Sequence, residues 1–452
     1  PNVPGEKFSM SCLAVNLSQE VNGVSRLHGK VSRQMFADMW KGYLPEEVPI
    51  GHVTNGVHVP TWVSKNWLDL YERELSPDFL NKQEDREMWK KIRDVDQLDI
   101  WKIRNRERKE LVDFLKTRIS ESAKISHENP RVIREIQERL DPNALTIVFA
   151  RRFATYKRAH LLFRDTERLA SILNNPFMPV QIFFAGKAHP KDKAGQDLIK
   201  LIVEISRKKE FMGKIVFLEN YEINLAKRLL HGADIWLNTP TRPLEASGTS
   251  GEKAVMNGLI HFSVLDGWWS EGYVSGGGYA LQEEKTYDDQ DFQDLLDAEN
   301  IYNLLENEIT PLFYKRDARG VPVGWINMIQ KSISSICPEF TMNRMLRDYI
   351  RKYYEPLYSR TYRMKQNEFE MASVIASWKK KVLNVWNSIE IVSIDLPDNS
   401  KPLSLGSNYA SEIVLDLKTL NPEEVGVEIV FGDHDSDETK MFIVNKQEFK
   451  LV

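Results

Sequence analysis

Five short apolar runs separated by helical patterns constrain the fold of this chain more than any other feature. The runs have the length and composition of strands, and they are Leu145–Ala150, Pro179–Gly186, Lys214–Leu218, Ala233–Leu237 and Leu259–Leu265. Helical patterns lie between them, for example over residues 158–173 and 194–208. Strands that alternate with helices indicate βαβ units, so we predict an α/β fold with a doubly wound, Rossmann-like parallel sheet. Ligands of such sheets bind beyond the carboxyl ends of the strands.

The segment after the fourth run is a candidate ligand site. Residues 239–251 are rich in Pro, Gly, Ser and Thr, and a helical pattern begins at Glu252. A small-residue loop that leads into a helix leaves several N–H groups unpaired, which favours an anion such as phosphate. An ordinary strand-to-helix connection with tight glycine turns is the alternative. The nucleotide P-loop pattern fails, because Glu252 separates Gly251 from Lys253 and no hydroxyl residue follows.

A cluster of cations follows the first run. Residues 151–158 read R-R-F-A-T-Y-K-R, with four cations in eight residues. Like charges this close together are costly at a strand end unless an anion lies between them. A solvated basic turn is the alternative interpretation.

Several motifs together resemble the α-glucan phosphorylases, the family that acts on glycogen, starch and maltodextrin. The loop E-A-S-G-T, followed by Lys253 and then N-G, resembles the pyridoxal-phosphate loop of that family. The string at 151–158 resembles its motif K/R-R-x-x-x-Y-K-R, and F-L-E-N-Y at 217–221 and T-N-G-x-x-x-x-x-W at 54–62 match it as well. The likeness covers roughly residues 8–390. It implies that the sheet is the second domain of a two-domain GT-B glucosyltransferase.

The resemblance implies a role for each matching residue. The catalytic residues would be Arg152, Lys157 and Lys253. Arg152 and Lys157 would bind the substrate phosphate, and Lys253 would carry pyridoxal 5′-phosphate as a Schiff base. The other cofactor contacts would be Arg151, Tyr221, Gly248, Thr249 and Ser250, and the substrate contacts would be Glu245, Ser247, Gly248 and Asn55.

Two positions depart from the glycogen phosphorylase motif. Arg151 stands where that motif has lysine, and Ala154 stands where it has histidine. A guanidinium can replace an ammonium as a phosphate partner. Alanine cannot take over any function of the histidine, so no role is assigned to position 154.

The activity that the resemblance implies is phosphorolysis of an α-1,4-glucan. Glucose at the non-reducing end would pass to inorganic phosphate as glucose 1-phosphate, with the cofactor phosphate as a proton relay. Two alternatives on the same scaffold stay open: a glycogen or starch synthase that uses a nucleotide sugar, and a non-catalytic glucan-binding module. A hydrolase would need paired carboxylates, whereas Glu245 is the only carboxylate in the predicted cluster.

The resemblance and the local patterns also divide the chain. We assign 1–56 to the truncated end of an N-terminal glucosyltransferase domain, 57–361 to the Rossmann-like domain that binds pyridoxal phosphate and phosphate, 362–395 to a crossing helix, and 396–452 to a small antiparallel β appendage that is incomplete. The chain begins with Pro1 and without Met. We therefore expect the C-terminal portion of a cytoplasmic phosphorylase, inactive alone. Its expected partners are the missing N-terminal half and a second copy in a homodimer.

Composition excludes several other functions. The 452 residues, 42% of them hydrophobic, are enough for two domains with sizeable cores. A net charge of −4 gives no general attraction to nucleic acid, and no apolar run is long enough for a membrane-spanning helix. No metal-binding spacing is found. Arginines interleave with acidic residues over 104–110, which predicts a solvated, salt-bridged helix face.

Overall fold

The computed structural model describes residues 8–127, 129–281, 287, 289–395, 410–434 and 441–452. It divides into two compact units. Unit 1 comprises Pro1–Met39 and Pro49–Tyr349, and unit 2 comprises Trp40–Val48 and Ile350–Val452.

Unit 1 is built on a six-stranded parallel sheet with the order β5-β4-β3-β6-β7-β8. Its strands are β3 (Leu145–Ala150), β4 (Val180–Ala185), β5 (Ile215–Leu218), β6 (Ile235–Asn238), β7 (Ile260–Val264) and β8 (Tyr279–Leu281), and a separate parallel pair is formed by β1 (Val21–Gly23) and β2 (Ile50–His52). Every residue of β3 and β4 is buried. Strands covered on both faces read as continuous apolar runs rather than alternating ones, which explains the runs in the sequence.

The α/β class and the parallel sheet are therefore confirmed, and β8 is an additional strand that the apolar runs did not predict. The chain winds outward from β3 to β5 and then returns to place β6 on the other side of β3. This reversal creates a crevice between the loops that follow β3 and β6, where doubly wound sheets bind their ligands. The assignment to the second domain of a GT-B enzyme stays a prediction.

The helices of unit 1 connect and cover these strands. They are α1 (Met10–Leu17), α2 (Arg26–Met35), α3 (Val59–Trp62), α4 (Lys65–Leu70), α5 (Arg86–Lys90), α6 (Gln97–Ser126), α7 (Pro130–Arg139), α8 (Thr166–Leu173), α9 (Lys193–Ser206), α10 (Ile223–Gly232), α11 (Ser250–Val255), α12 (Trp269–Gly272), α13 (Gln290–Leu304), α14 (Thr310–Tyr314), α15 (Val323–Ile336) and α16 (Met342–Tyr349). Polar side chains fix several starts: Asp192 accepts from the Gly195 N–H at 3.0 Å to cap α9, and Glu222 caps α10.

The prediction of a solvated face on α6 is wrong for the turn at residues 104–108. Arg104, Glu107 and Arg108 are all buried. Arg108 lies 2.6 Å from the Asp234 carboxylate, and Arg104 lies 3.6 Å from the same group. The second oxygen of Asp234 accepts from the Thr146 N–H of β3 at 3.0 Å. The charges are buried because they join the helix to the start of β6.

Unit 2 contains two helices and two antiparallel strand pairs. Its elements are α17 (Glu355–Lys365), α18 (Glu370–Val385), β9 (Glu390–Asp395), β10 (Glu412–Asp416), β11 (Glu428–His434) and β12 (Met441–Glu448). β9 pairs with β10 and β11 pairs with β12. The predicted antiparallel β elements near the C-terminus are therefore confirmed.

The segment predicted as one crossing helix is not helical throughout. Residues 367–369 have positive φ angles of 48, 55 and 68°, which separate α17 from α18. Residues 390–395 form β9 instead of continuing the helix. The predicted boundary at 396 lies outside the described residues, as do residues 1–7. The division into domains stays a prediction.

No helix among the described residues is both long enough and apolar enough to cross a membrane.

The buried network around Asp234 predicts a large effect of one substitution. Asp234→Ala should lower the free energy of unfolding by about 3–5 kcal/mol, because it leaves two buried guanidinium groups without a shared carboxylate. Urea unfolding followed by tryptophan fluorescence measures the change. The matched control is Asp99→Ala on α6, whose carboxylate makes an exposed pair with Lys102 at 3.0 Å and should contribute less than about 1 kcal/mol. Equal shifts in both variants would contradict the prediction.

Candidate functional site

The loop after β3 carries the predicted cation cluster and is held in place by the sheet. The Arg151 N–H donates to the Ala185 carbonyl at 3.0 Å, and the Phe153 N–H donates to the Lys187 carbonyl at 3.0 Å. These bonds extend the pairing of β3 with β4 beyond the strand ends. Lys157 and Arg158 are buried, whereas Arg152 is exposed. The cluster is therefore not a simple solvated turn.

The loop after β6 is bonded directly to the loop after β3. Arg158 donates to the carbonyls of Thr239 and Pro240, each at 2.9 Å. The Thr241 N–H donates to the Tyr156 carbonyl at 2.7 Å. Since β3 and β6 are neighbours in the sheet, both loops lie at the crevice between them.

Three of the predicted site residues meet at this crevice. The Glu245 carboxylate forms ion pairs with both Arg151 and Lys157. The exposed fraction of the side chain is 14% for Glu245, 10% for Arg151 and 7% for Lys157. Burial alone would raise the pKa of Glu245, but the two cations outweigh it and hold that pKa below its ordinary value. Glu245 is thus an anion at neutral pH.

The backbone around Glu245 is fixed at three successive residues. The Glu245 N–H donates to Asp266 at 2.9 Å, Ser25 donates to the Ala246 carbonyl at 2.7 Å, and the Trp268 N–H donates to the Ser247 carbonyl at 2.9 Å. Burial raises the pKa of Asp266 to about 6, against the effect of the N–H groups that it accepts.

Glycine is required where this loop turns. Gly248 has a φ of +72°, in the left-handed region that glycine adopts without strain. Gly267 also has a positive φ, and a side chain there would run into the Ser247 carbonyl. The two glycines allow the loops after β6 and β7 to approach each other closely.

Lys253 lies on α11 in separate surroundings. Its Nζ is 3.7 Å from the centre of the Trp62 ring. Asn257 donates to the carbonyls of Lys253 and Trp62 at 2.8 and 3.0 Å, and it accepts from the Ser64 N–H at 2.8 Å. Burial lowers the pKa of Lys253, although the neighbouring Glu252 carboxyl acts in the opposite direction. A lowered pKa increases the fraction of the amine that is neutral, which is the nucleophilic form.

The other predicted contacts differ in their surroundings. The Thr249 carbonyl accepts from the Lys253 N–H at 3.2 Å, and the Ser250 hydroxyl accepts from the Trp236 indole N–H at 3.0 Å. Tyr221 is largely buried, which raises its pKa to about 12, while the charge of Arg151 acts in the opposite direction.

Arg152 and Asn55 are not brought into contact with the cluster. Arg152 reaches the Tyr156 hydroxyl at 3.4 Å, and the Asn55 carbonyl accepts from Arg344 at 2.9 Å. Within the part of the chain that the structure describes, no hydrogen bond or ion pair joins either residue to Glu245 or Lys253.

Several buried polar atoms at the crevice have no hydrogen-bond partner among the described residues. They are Nε and Nη1 of Arg151, Oδ1 of Asn238 and Oγ of Ser247. Buried polar groups in folded proteins are normally paired, so unpaired ones indicate a missing ligand or water. A guanidinium with two free nitrogens can bind an anion, and the Ser247 hydroxyl can bind a polar ligand.

Three site residues were not assigned roles from the sequence. Ser25 contacts Ala246, Trp62 contacts Lys253, and Asp266 contacts Glu245. Trp62 belongs to the quoted T-N-G-x-x-x-x-x-W pattern, and Asp266 follows β7 at the same edge of the sheet, so both had a usable signal. Nothing in the sequence pointed to Ser25.

Burial and packing place two neighbouring tryptophans in the core. Trp268 and Trp269, which could have been a sugar platform, are core residues at 2 and 0% exposed, and both contact the His261 ring. No group of three or more His, Cys, Asp or Glu side chains among the described residues is placed to hold a metal ion.

Comparisons with known proteins match both ends of the chain. The family profile described as Carbohydrate phosphorylase matches residues 3–271, and the profile described as Glycogen phosphorylase C-terminal domain matches residues 386–451.

Curated relatives agree with these profiles. The maltodextrin phosphorylase of Thermococcus litoralis is 39% identical over 429 residues, which cover 95% of this chain and 49% of the relative. The glycogen phosphorylase of Mycobacterium bovis is 39% identical over 438 residues, or 96% of this chain and 50% of the relative. The glycogen phosphorylase of Aquifex aeolicus is 43% identical over 357 residues, which cover 79% of this chain and 51% of the relative. The chain spans about half the length of the curated relatives that it matches. With more than half of its residues matched by the first profile, the chain belongs to the carbohydrate phosphorylase family.

Proposed function

We propose that this chain is the C-terminal half of an α-1,4-glucan phosphorylase, which transfers the terminal glucose of a glucan to inorganic phosphate. The observation that carries the proposal is the pair of buried cations, Arg151 and Lys157, at the reversal point of the sheet. Arg151 has two nitrogens without a partner among the described residues. The names of the relatives, maltodextrin phosphorylase and glycogen phosphorylase, support the same substrates.

The cations can offset the repulsion between the two phosphate groups that such a reaction brings together. A substrate phosphate and a cofactor phosphate would lie close together, and unit charges about 4 Å apart repel by about 4 kcal/mol at an effective dielectric of about 20. We assign Arg152 and Lys157 to the substrate phosphate and Arg151 to the cofactor phosphate. Fixed cations of this kind offset the repulsion without reorganising during the reaction.

The residues around Lys253 fit pyridoxal 5′-phosphate. The half-buried amine with a lowered pKa suits a bond to the cofactor aldehyde. The turn at Gly248 leads to Thr249 and Ser250 at the start of α11, and we assign these three residues to the cofactor phosphate. Tyrosine is neutral at physiological pH, and burial, which raises the pKa of Tyr221 to about 12, favours the neutral form further, so Tyr221 adds no negative charge beside the anion. When bound, the cofactor supplies a phosphate group that can exchange a proton with the substrate phosphate.

We assign the sugar to Glu245, Ser247, Gly248 and Asn55. The Glu245 carboxylate is an acceptor for glucose hydroxyls, and Ser247 has a hydroxyl without a partner among the described residues. During phosphorolysis the substrate phosphate gives a proton to the departing glycosidic oxygen, and a phosphate oxygen then bonds to the anomeric carbon. Arg152 and Lys157 stabilise the negative charge that the phosphate gains as the proton leaves.

We further propose that the active protein is cytoplasmic and includes an N-terminal half that supplies the remaining sugar and cofactor contacts. The chain would be inactive without it. Assembly as a homodimer is part of the same proposal.

The first test is chemical trapping at Lys253. Full-length protein is incubated with pyridoxal phosphate, reduced with borohydride and digested, and the peptides are analysed by mass spectrometry. We expect a reduced adduct on the Lys253 peptide, because this amine is more readily deprotonated than an ordinary lysine. Lys253→Arg, which keeps the charge but cannot form the bond, should give no adduct there.

The trapping experiment also separates the alternatives. A synthase that uses a nucleotide sugar, or a non-catalytic glucan-binding module, would leave the Lys253 peptide unmodified. Trapping on other lysines alone would argue against the proposal.

The second test separates phosphate from glucan. Arg152→Ala should weaken the binding of inorganic phosphate by about 10- to 100-fold, the loss expected for one or two charge-assisted hydrogen bonds. Glucan affinity should change little, and both affinities are measured by calorimetry. The control is Arg106→Ala, an exposed arginine paired with Glu110 at 3.0 Å on α6. Equal losses of phosphate and glucan affinity would count against the role of Arg152.

A further inference from the structure

The Glu245 carboxylate occupies the same cations that the proposed function assigns to phosphate. Arg151 and Lys157 both form ion pairs with it. Glu245 is also the residue assigned to the glucose hydroxyls. A single carboxylate cannot hold two cations fully and present the same oxygens to a sugar.

We propose that Glu245 is an internal competitor of phosphate, and that a substrate phosphate at Lys157, beside the cofactor phosphate assigned to Arg151, releases its carboxylate for sugar binding. The inference rests on the proposed function for its two ligands. It adds a coupling between them, in which glucan recognition becomes stronger once the phosphate is in place.

Glu245 can leave its two cations for a sugar hydroxyl by a movement of its side chain, without a movement of the loop backbone. The Glu245 N–H donates to Asp266, and Ser25 and the Trp268 N–H donate to the carbonyls of Ala246 and Ser247, so the backbone at 245–247 is fixed. An exchange of partners by Glu245 therefore needs rotation about side-chain bonds only. A side chain that is 14% exposed has solvent on one side into which it can turn.

Charge and hydrogen-bonding capacity both favour phosphate over the carboxylate. Two cations face one carboxylate, which leaves a net positive charge, and the Nε and Nη1 donors of Arg151 lack partners among the described residues. A phosphate group carries about −1.5 to −2 charges near neutral pH and offers three strong acceptor oxygens. It can therefore satisfy donors that the carboxylate leaves open. The unsatisfied donors thus point to a larger anion than the one that the protein itself supplies.

Thermodynamic linkage requires that the effects of phosphate and glucan on each other's affinity are equal. If phosphate frees Glu245 and so raises glucan affinity, glucan must raise phosphate affinity by the same factor. Typical coupling free energies correspond to about 5- to 150-fold changes in affinity.

The test is the binding of inorganic phosphate to the full-length protein by calorimetry. Glu245→Gln keeps the shape of the side chain but removes the competing charge. It should bind phosphate about fivefold more tightly, or better, than the unsubstituted protein. The control is Glu219→Gln, at the end of β5, where the carboxylate accepts from Ser122 at 2.8 Å and no contact with Arg151 or Lys157 occurs among the described residues. Phosphate affinity that is unchanged or weaker in Glu245→Gln overturns the inference, because Glu245 would then be neutral or helpful to phosphate.

A second measurement needs no substitution at Glu245. The affinity of the unsubstituted protein for maltoheptaose is measured without phosphate and with saturating phosphate, and we expect it to rise about fivefold or more. Independence of the two ligands overturns the inference. Release of glucose 1-phosphate is assayed separately, so failure of the proposed reaction is distinguishable from failure of the coupling.

Discussion

The ion pairs of Glu245 with Arg151 and Lys157 are the interaction on which the crevice of the sheet depends. The two cations follow β3 and the carboxylate follows β6, so the pairs join loops on neighbouring strands. Buried charges are stable only when they are paired. The order of the strands thus creates a place where charge must be balanced, either by the protein or by a ligand.

Much of this architecture could be predicted from the sequence, but the contacts within it could not. Apolar runs located five of the six strands of the main sheet, and the rule on strand ends located the loops. The neighbouring position of β3 and β6 depends on long-range pairing, and Lys157 and Glu245 are 88 positions apart. Periodicity contains no information on that distance, so the partner of the cations was not predicted. The resemblance gave each residue a ligand, and the structure also shows a protein partner for several of these residues.

The error on α6 has a physical cause. Arg104 and Arg108 were assigned to solvent because charged residues are rarely buried. They are buried because Asp234 and several carbonyls supply their partners, and those partners are remote in the sequence. The break between α17 and α18 was also missed. Its residues have no helix-breaking proline or glycine, and only their positive φ angles reveal the interruption. Local pattern is thus a poor guide wherever remote groups decide the outcome.

Two arginines in the same eight-residue segment differ in how many of their hydrogen-bond donors the protein satisfies. Every guanidinium nitrogen of Arg158 has a partner: the carbonyls of Thr239 and Pro240, and the carboxylates of Asp294 and Asp297. Arg151 directly follows β3, and two of its nitrogens have no partner among the described residues. A guanidinium whose nitrogens all have protein partners holds the loop in place and has no free donor for a ligand. An unsaturated one costs stability unless another group completes it, and the sequence motif does not show this difference between the two arginines.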